Sequence, residues 1–295
     1  MNEYIFIVGS PRSGTTVIGK LLNSHPQIAT WFVPYFMWEK PFRHNKNDIL
    51  TAKNASPDII RYIQDAFRYF KKKTNAKYIV DQSPRNSLRI GFIKKIFPDA
   101  KFVHVVRESK DAILSINKEW QKRIGIYQSK NTELLPVNIK KIWKPFNELL
   151  SLQPLLKHKF QALLFELYGF SFKPEQQYNR KRWNGNIGWG PRFNHWQKKL
   201  ESYSLIEFNA MQWKECTEAV RKNLPISSSQ THTIQYERML DAPETTMNLL
   251  LEFIDKDFRW SDLISPPKLI KSNYNKWKKE FTLEQIDIIN NIIQQ

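Results

Sequence analysis

Residues 4–22, Tyr-Ile-Phe-Ile-Val-Gly-Ser-Pro-Arg-Ser-Gly-Thr-Thr-Val-Ile-Gly-Lys-Leu-Leu, restrict the fold more than any other stretch of the chain. The apolar β-forming run Tyr4 to Val8 stops at Gly9-Ser10-Pro11-Arg12-Ser13-Gly14-Thr15-Thr16, after which Val17, Ile18, Leu21 and Leu22 recur at helical spacing. The pattern predicts a strand, a tight loop and a helix. Two glycines five positions apart let the backbone turn sharply, so that loop N–H groups and a helix N-terminus can converge on one anion. The segment is close to the nucleotide-phosphate pattern G-x-x-x-x-G-K-[ST], but Thr15 takes the place of the lysine and leaves Arg12 as the available cation.

The rest of the chain supplies a sheet for that loop. His25 to Trp31 predicts a short second strand, followed by the aromatic run Phe32-Val-Pro-Tyr-Phe-Met-Trp38, which suits either core packing or contact with a substrate. Pro57 to Lys73 reads as a helix capped by Ser56, with Ile59, Ile60, Ile63, Ala66, Phe67 and Phe70 on one face. Tyr78-Ile79-Val80 is a buried-type strand, Arg85 to Phe97 a helix, Lys101 to Val106 the strongest strand, and Asp111 to Trp120 another helix. Strands alternating with helices at this spacing predict a parallel α/β sheet with helices on both faces. From 122 to 200 the alternation stops. Helical patches at 139–150 and 155–168 and an aromatic loop around 183–192 are expected to cap the sheet, with residues 121–200 an insertion within a single domain. Further on, 205–223 reads as a helix with Cys216 on its packing side, His232 to Tyr236 as a fifth strand, and 243–254 and 283–293 as helices.

The net charge is +18, of which +11 lies in residues 121–200, where 15 Lys/Arg face 4 Asp/Glu. A surplus of this size favours an anionic partner. Nucleic acid is not the expected one, because no helix-turn-helix, zinc-finger or RNA-recognition signature is present. The single cysteine excludes an internal disulfide and a cysteine-rich metal site, and the six histidines show no ligand spacing. No apolar run approaches the roughly 18 residues of a membrane span, and no signal-peptide pattern opens the chain, so a cytoplasmic location is expected.

Gly9 to Thr16, followed by Leu21-Leu-Asn-Ser-His-Pro26, resembles the opening of the sulfotransferases that use 3′-phosphoadenylyl sulfate, and its arginine form resembles the tyrosylprotein and bacterial branches. Phe102 to Ser115, a strand ending in Arg107 with a serine eight residues later on a helix, is similar to the family's second motif. Tyr236-Glu237 resembles its strand-end tyrosine segment, and 271–279 its closing segment. The resemblance implies that Ser10, Pro11, Arg12, Ser13, Gly14, Thr15 and Thr16 hold the 5′-phosphosulfate and that Arg107 and Ser115 take the 3′-phosphate. It also implies that Tyr236 lies beside the adenosine and that Ser272 and Lys276 reach the cofactor. The implied reaction moves a sulfuryl group to a hydroxyl or amine, without a metal. Aromatic rings beside basic side chains suit a sugar, a glycolipid or an aromatic hydroxyl as acceptor.

The chain departs from this family at two positions, with Val33 and Gln82 where relatives commonly have a glutamate and a lysine. Asp81, expected at a strand end facing the loop, is the first candidate for the base, ahead of Glu39 and His25, while Arg12 is expected to act on the transferring group. Two other readings stay open. One is a P-loop kinase or NTPase with Asp81 supporting Mg²⁺, against which Thr15 argues; the other is a non-catalytic module that holds nucleotides or polyanions.

Overall fold

A computed structural model describes residues 3–42, 45–132, 189–225, 228–270 and 275–294. Five parallel strands form one sheet: β1 Tyr4–Val8, β2 Ile28–Phe32, β3 Tyr78–Gln82, β4 Lys101–Val106 and β5 Thr231–Gln235, in the order β2-β3-β1-β4-β5. Phe6 lies opposite Asp81 on one side and Phe102 on the other, which fixes the register at the centre.

Helices cover both faces, as the continuous apolar strands require. On one face α2 (Tyr35–Glu39), α3 (Pro57–Thr74) and α4 (Ile90–Ile96) bury Trp38, Ile63, Phe67, Phe92 and Ile93 against Phe6, Val8, Ile79 and Phe102. Phe67 is the hub of this side, with ring centroids 4.9–6.0 Å from Tyr4, Phe6, Trp31, Trp38 and Phe97. The aromatic run after β2 therefore contributes Met37 and Trp38 to packing. On the other face α1 (Thr15–Leu22) sets Ile18, Leu21 and Leu22 against Ile5, Ile7, Val80, Val103 and Val105.

α5 (Ser109–Thr132) begins after β4 and is longer than the sequence predicts. α6 (Trp196–Ser202) and α7 (Leu205–Asn223) follow, and Cys216 on α7 is fully buried with Trp120, Phe193 and Phe208. Burial, aided by the negative charges of Glu215 and Asp48, pushes its thiol well above the usual range, consistent with packing rather than chemistry. α8 (Tyr236–Asp241) and α9 (Pro243–Ile254) come directly after β5, and α10 (Trp277–Glu280) and α11 (Leu283–Gln294) end the described residues. The helices expected at 139–150 and 155–168 lie outside them. Among the described residues no helix is long and apolar enough to cross a membrane, and no group of His, Cys, Asp and Glu could hold a metal ion.

Two local expectations need correction. Ser56 occupies the N-cap of α3, but its side chain makes no capping hydrogen bond; Pro57 in the first turn, Asp58 beside it and Lys71–Lys73 in the last turn favour the helix instead. The helix expected over 85–97 is broken into a 3₁₀ turn, Pro84–Leu88, and α4. Asn86 and Ser87 in that turn bond to Asp81 and to the Gly9 backbone, and these tertiary bonds compete with helix continuation.

Candidate functional site

The loop between β1 and α1 is shaped by contacts that exclude side chains. At Gly9, with φ +155°, a Cβ would lie 2.5 Å from the Val105 carbonyl oxygen and 2.7 Å from Ser13 Oγ. Ser87 Oγ clasps the same residue, accepting from its N–H at 2.9 Å and donating to its carbonyl at 2.8 Å. Gly14, with φ +102°, is the N-cap of α1, and the Tyr236 ring fills the space a Cβ would need. Its carbonyl accepts from the N–H groups of Val17 and Ile18 at 2.9 and 3.1 Å. The N–H groups of Thr15 and Thr16 precede the first carbonyl a helix can offer and are directed outward at its N-terminus. Ser10, Pro11, Ser13 and Thr15 are buried, whereas Arg12 and Thr16 are exposed. Arg12 has φ +65°, a conformation that costs about 1–3 kcal/mol in a residue with a side chain and tends to persist where a site requires it.

Two distant segments converge on Arg12. Its Nε donates to Ser115 Oγ on α5 at 2.9 Å, and Arg107 Nη1, from the carboxyl end of β4, donates to the Arg12 carbonyl at 2.9 Å. The Arg107 guanidinium also lies 5.1 Å from the centre of the Tyr236 ring. The structure thus brings Arg12, Gly14, Arg107, Ser115 and Tyr236 into one contiguous patch. Asp111 on α5 accepts from the N–H groups of Asn275 at 2.5 Å and Trp277 at 3.3 Å, which anchors the closing segment beside the patch. Lys276 between them is exposed, and Ser272 lies outside the described residues.

The candidate bases are distributed differently. Asp81 projects from β3 on the α3 and α4 face of the sheet, opposite to α1, and is fully buried. Its oxygens accept from Trp38 Nε1 at 2.7 Å and Asn86 Nδ2 at 2.9 Å. Burial pushes its pKa up to about 6, against the two hydrogen bonds that favour the carboxylate. Glu39 is ion-paired to Arg85 and lies 3.6 Å from Arg192. His25 sits beyond the far end of α1, tilted against the Phe258 ring with centroids 3.8 Å apart and 3.7 Å from Asp262; burial lowers its pKa. The eight residues of α1 separate it from the loop by roughly 12 Å.

Gln82, the next residue on β3, points to the α1 face. Its Nε2 donates to Thr15 Oγ1 at 3.2 Å, and its carbonyl accepts from the Val33 N–H at 2.9 Å. Val33 has φ +51°, an outlier for a β-branched residue. The two positions at which the chain departs from the pattern it resembles are therefore hydrogen-bonded neighbours.

A group that spacing did not reveal lies near Glu39. Asp48 is buried and receives Arg192 N and Nη2, each at 2.7 Å, while Arg85 Nε approaches it at 3.4 Å. Burial opposes its ionisation, but the Arg192 and Arg85 guanidiniums hold its carboxyl well below the usual carboxylate range. Arg85 also lies 3.9 Å from the centre of the Tyr35 ring. The partners are up to 144 residues apart, so no local pattern could have shown the cluster.

The fold is α/β, a five-stranded parallel sheet with helices on both faces and a glycine-bounded loop between β1 and α1. A sequence model described as the Sulfotransferase family matches residues 4–139. That segment, a little under half of the chain, contains the loop, Arg107 and Ser115 and is similar to that family. Among curated relatives, protein-tyrosine sulfotransferase 1 of Danio rerio is 28% identical over 124 residues, covering 38% of this chain and 34% of that protein. The Homo sapiens protein of the same name is 29% identical over 122 residues, covering 38% and 33%. The match thus spans about a third of these relatives' length. Among solved structures, the sulfotransferase domain of the Synechococcus PCC 7002 olefin synthase is 12% identical with a TM-score of 0.50, covering 98% of this chain and 93% of that one. The sulfotransferase domain of the curacin biosynthetic pathway is 13% identical with a TM-score of 0.50, covering 100% and 98%. These two show that the fold is shared.

Proposed function

We propose that the protein is a sulfotransferase that uses 3′-phosphoadenylyl sulfate as donor and the phenolic hydroxyl of a tyrosyl residue in an acidic polypeptide as acceptor. The observation that carries the donor is the contiguity of the loop, Arg12, Arg107, Ser115 and Tyr236. They make an anion site with two ends and an aromatic ring between a loop glycine and an arginine. The loop amides and Thr15 receive the 5′-phosphosulfate, Arg107 and Ser115 receive the 3′-phosphate, and Tyr236 lines the adenosine. Arg12, tied to Ser115 through Nε, reaches from one end to the other. The acceptor rests on the names of the relatives and on the net charge of +18, which favours an acidic partner.

In the reaction the acceptor oxygen forms a bond to sulfur as the sulfur–oxygen bond to the 5′-phosphate breaks. The electron pair stays on the released adenosine 3′,5′-bisphosphate, and the phenolic proton passes to solvent or a base. Alignment and stabilisation of charge on the leaving phosphate oxygen carry the rate, which suits fixed amides and Arg12. Asp81, covered and holding Trp38 and Asn86, is assigned a positioning role.

Incubation with labelled donor and an acidic tyrosine peptide is expected to transfer sulfate, with no transfer to the phenylalanine counterpart. Labelling of a saccharide or glycolipid instead would replace the proposed acceptor. Thermal stabilisation by ATP with Mg²⁺ but not by adenosine 3′,5′-bisphosphate would overturn the donor assignment in favour of a kinase-like site.

A further inference from the structure

Gln82 is buried on the α1 face, with Nε2 bonded to Thr15 and Oε1 buried without a hydrogen-bond partner. A buried amide satisfied at only one end is a poor device for stability, because its desolvation is incompletely offset. The helix has nonetheless made room for it. Gly19 stands in the middle of α1, where glycine is an unfavourable choice, and a Cβ there would lie 3.0 Å from Gln82 Cγ and 3.1 Å from the Phe32 ring. Both the orphaned oxygen and the missing methyl are explained if the amide serves the loop.

The chemistry follows from the hydroxyl of Thr15. A threonine at the start of a helix can turn its single proton toward nearby backbone carbonyls or toward a ligand. When Oγ1 accepts from Gln82 Nε2, one lone-pair direction is taken and the proton is turned away from the amide. Thr15 is the first residue of α1, beside the Gly14 cap, so the remaining directions include the anion cradle. We infer that Gln82 is a positioning residue that makes Thr15 a fixed hydrogen-bond donor to the leaving phosphate of the nucleotide. A neutral amide–hydroxyl relay then serves where a lysine would supply a cation. This inference rests on the proposed sulfotransferase reading.

The test is a double-mutant cycle on the affinity for adenosine 3′,5′-bisphosphate, measured by calorimetry with the full chain. Gln82→Met keeps the volume and removes the amide, and it is expected to weaken binding roughly fivefold. Thr15→Val is expected to weaken it by a similar or larger factor, and the double variant no further than Thr15→Val alone, because Gln82 acts only through that hydroxyl. Thr15→Ser should restore affinity in the native background but not with Gln82→Met. Gly19→Ala, which crowds the Gln82 stem at Cγ and Cβ and so displaces the amide from the helix side, should reproduce the Gln82→Met loss. Losses that multiply in the double variant, or a Gln82→Met protein with native affinity, would overturn the relay while leaving the sulfotransferase reading intact. Absence of bisphosphate binding by the unaltered protein would overturn both.

Discussion

The loop at Gly9–Thr16 and the ionic cluster around Asp48 are both polar regions of the described residues, yet they are built in opposite ways. The loop presents donors: helix-terminal N–H groups, a buried Ser13 hydroxyl without a partner and an exposed guanidinium on a strained backbone. In the cluster, Glu39 and Asp48 are matched to Arg85 and Arg192, and the charges are largely buried with their partners. A charge already paired in low dielectric holds segments together, while a set of oriented donors with unmet capacity binds an anion. Charge count alone would have ranked the two regions the other way.

The contrast is broken most severely at Asp48. Asp48→Ala leaves Arg85 and Arg192 short of their buried partner and is expected to destabilise the fold by about 3–5 kcal/mol in denaturant unfolding. The depressed carboxyl fixes the pH dependence. Its stabilisation is present above the unfolded value near 4 and is lost as pH falls below it, so acid should narrow the difference between native and variant. A variant as stable as the native chain at pH 7 would show that the cluster does not hold the fold.

On the loop side, Arg12→Ala should lower turnover by about 10²–10³-fold with a smaller change in donor affinity, because its charge is most effective as negative charge develops on the leaving oxygen. If only the Michaelis constant for the donor rises, Arg12 belongs with the binding residues.

Asp81 distinguishes the regions by pH. Its folded pKa of about 6 is raised above 3.8 by burial. Its contribution to stability is therefore fully present below pH 4 and lost as pH rises through 6, a change of up to about 3 kcal/mol. Asp81→Asn should flatten that slope, since an amide at this position does not ionise. It should keep turnover within a few-fold if Asp81 positions Trp38 and Asn86. A selective loss of roughly 10²-fold with donor binding and stability intact would make it the base.

The smallest expected effect sharpens the two-ended anion site. Arg107→Ala and Ser115→Ala should each weaken adenosine 3′,5′-bisphosphate by about 1.5–3 kcal/mol while hardly affecting adenosine 5′-phosphate. Equal losses for both nucleotides in calorimetry would remove the 3′-phosphate assignment.

What the sequence made legible is what is local in it. β1, α1, β4 and α9 follow from short apolar runs, paired glycines and a proline at a helix start, and the loop could be read because its glycines, arginine and hydroxyls lie within eight residues, although the Ser87 and Tyr236 contacts that shape it do not. The break between the 3₁₀ turn and α4 could not, since it depends on Ser87 meeting Gly9 across 78 residues. Asp81 was legible as a carboxylate at a strand end, but the face it points to depends on register. Only the register with β1 beside Phe6 places it with Trp38 rather than with Thr15. Arg12, Arg107 and Ser115 were legible through the resemblance, and their meeting across 95 and 103 residues is a finding of the structure.

The strand order also sets a timetable for synthesis. Four of the five strands lie within the first 106 residues, but β4 gains its outer neighbour only from residues 231–235. Until that segment leaves the ribosome, the growing chain carries an open edge built from Lys101-Phe-Val-His-Val-Val106, able to pair with any extended strand it meets. Nascent chains halted before residue 231 should therefore depend on chaperones and aggregate when these are scarce, whereas those that have passed Gln235 should not.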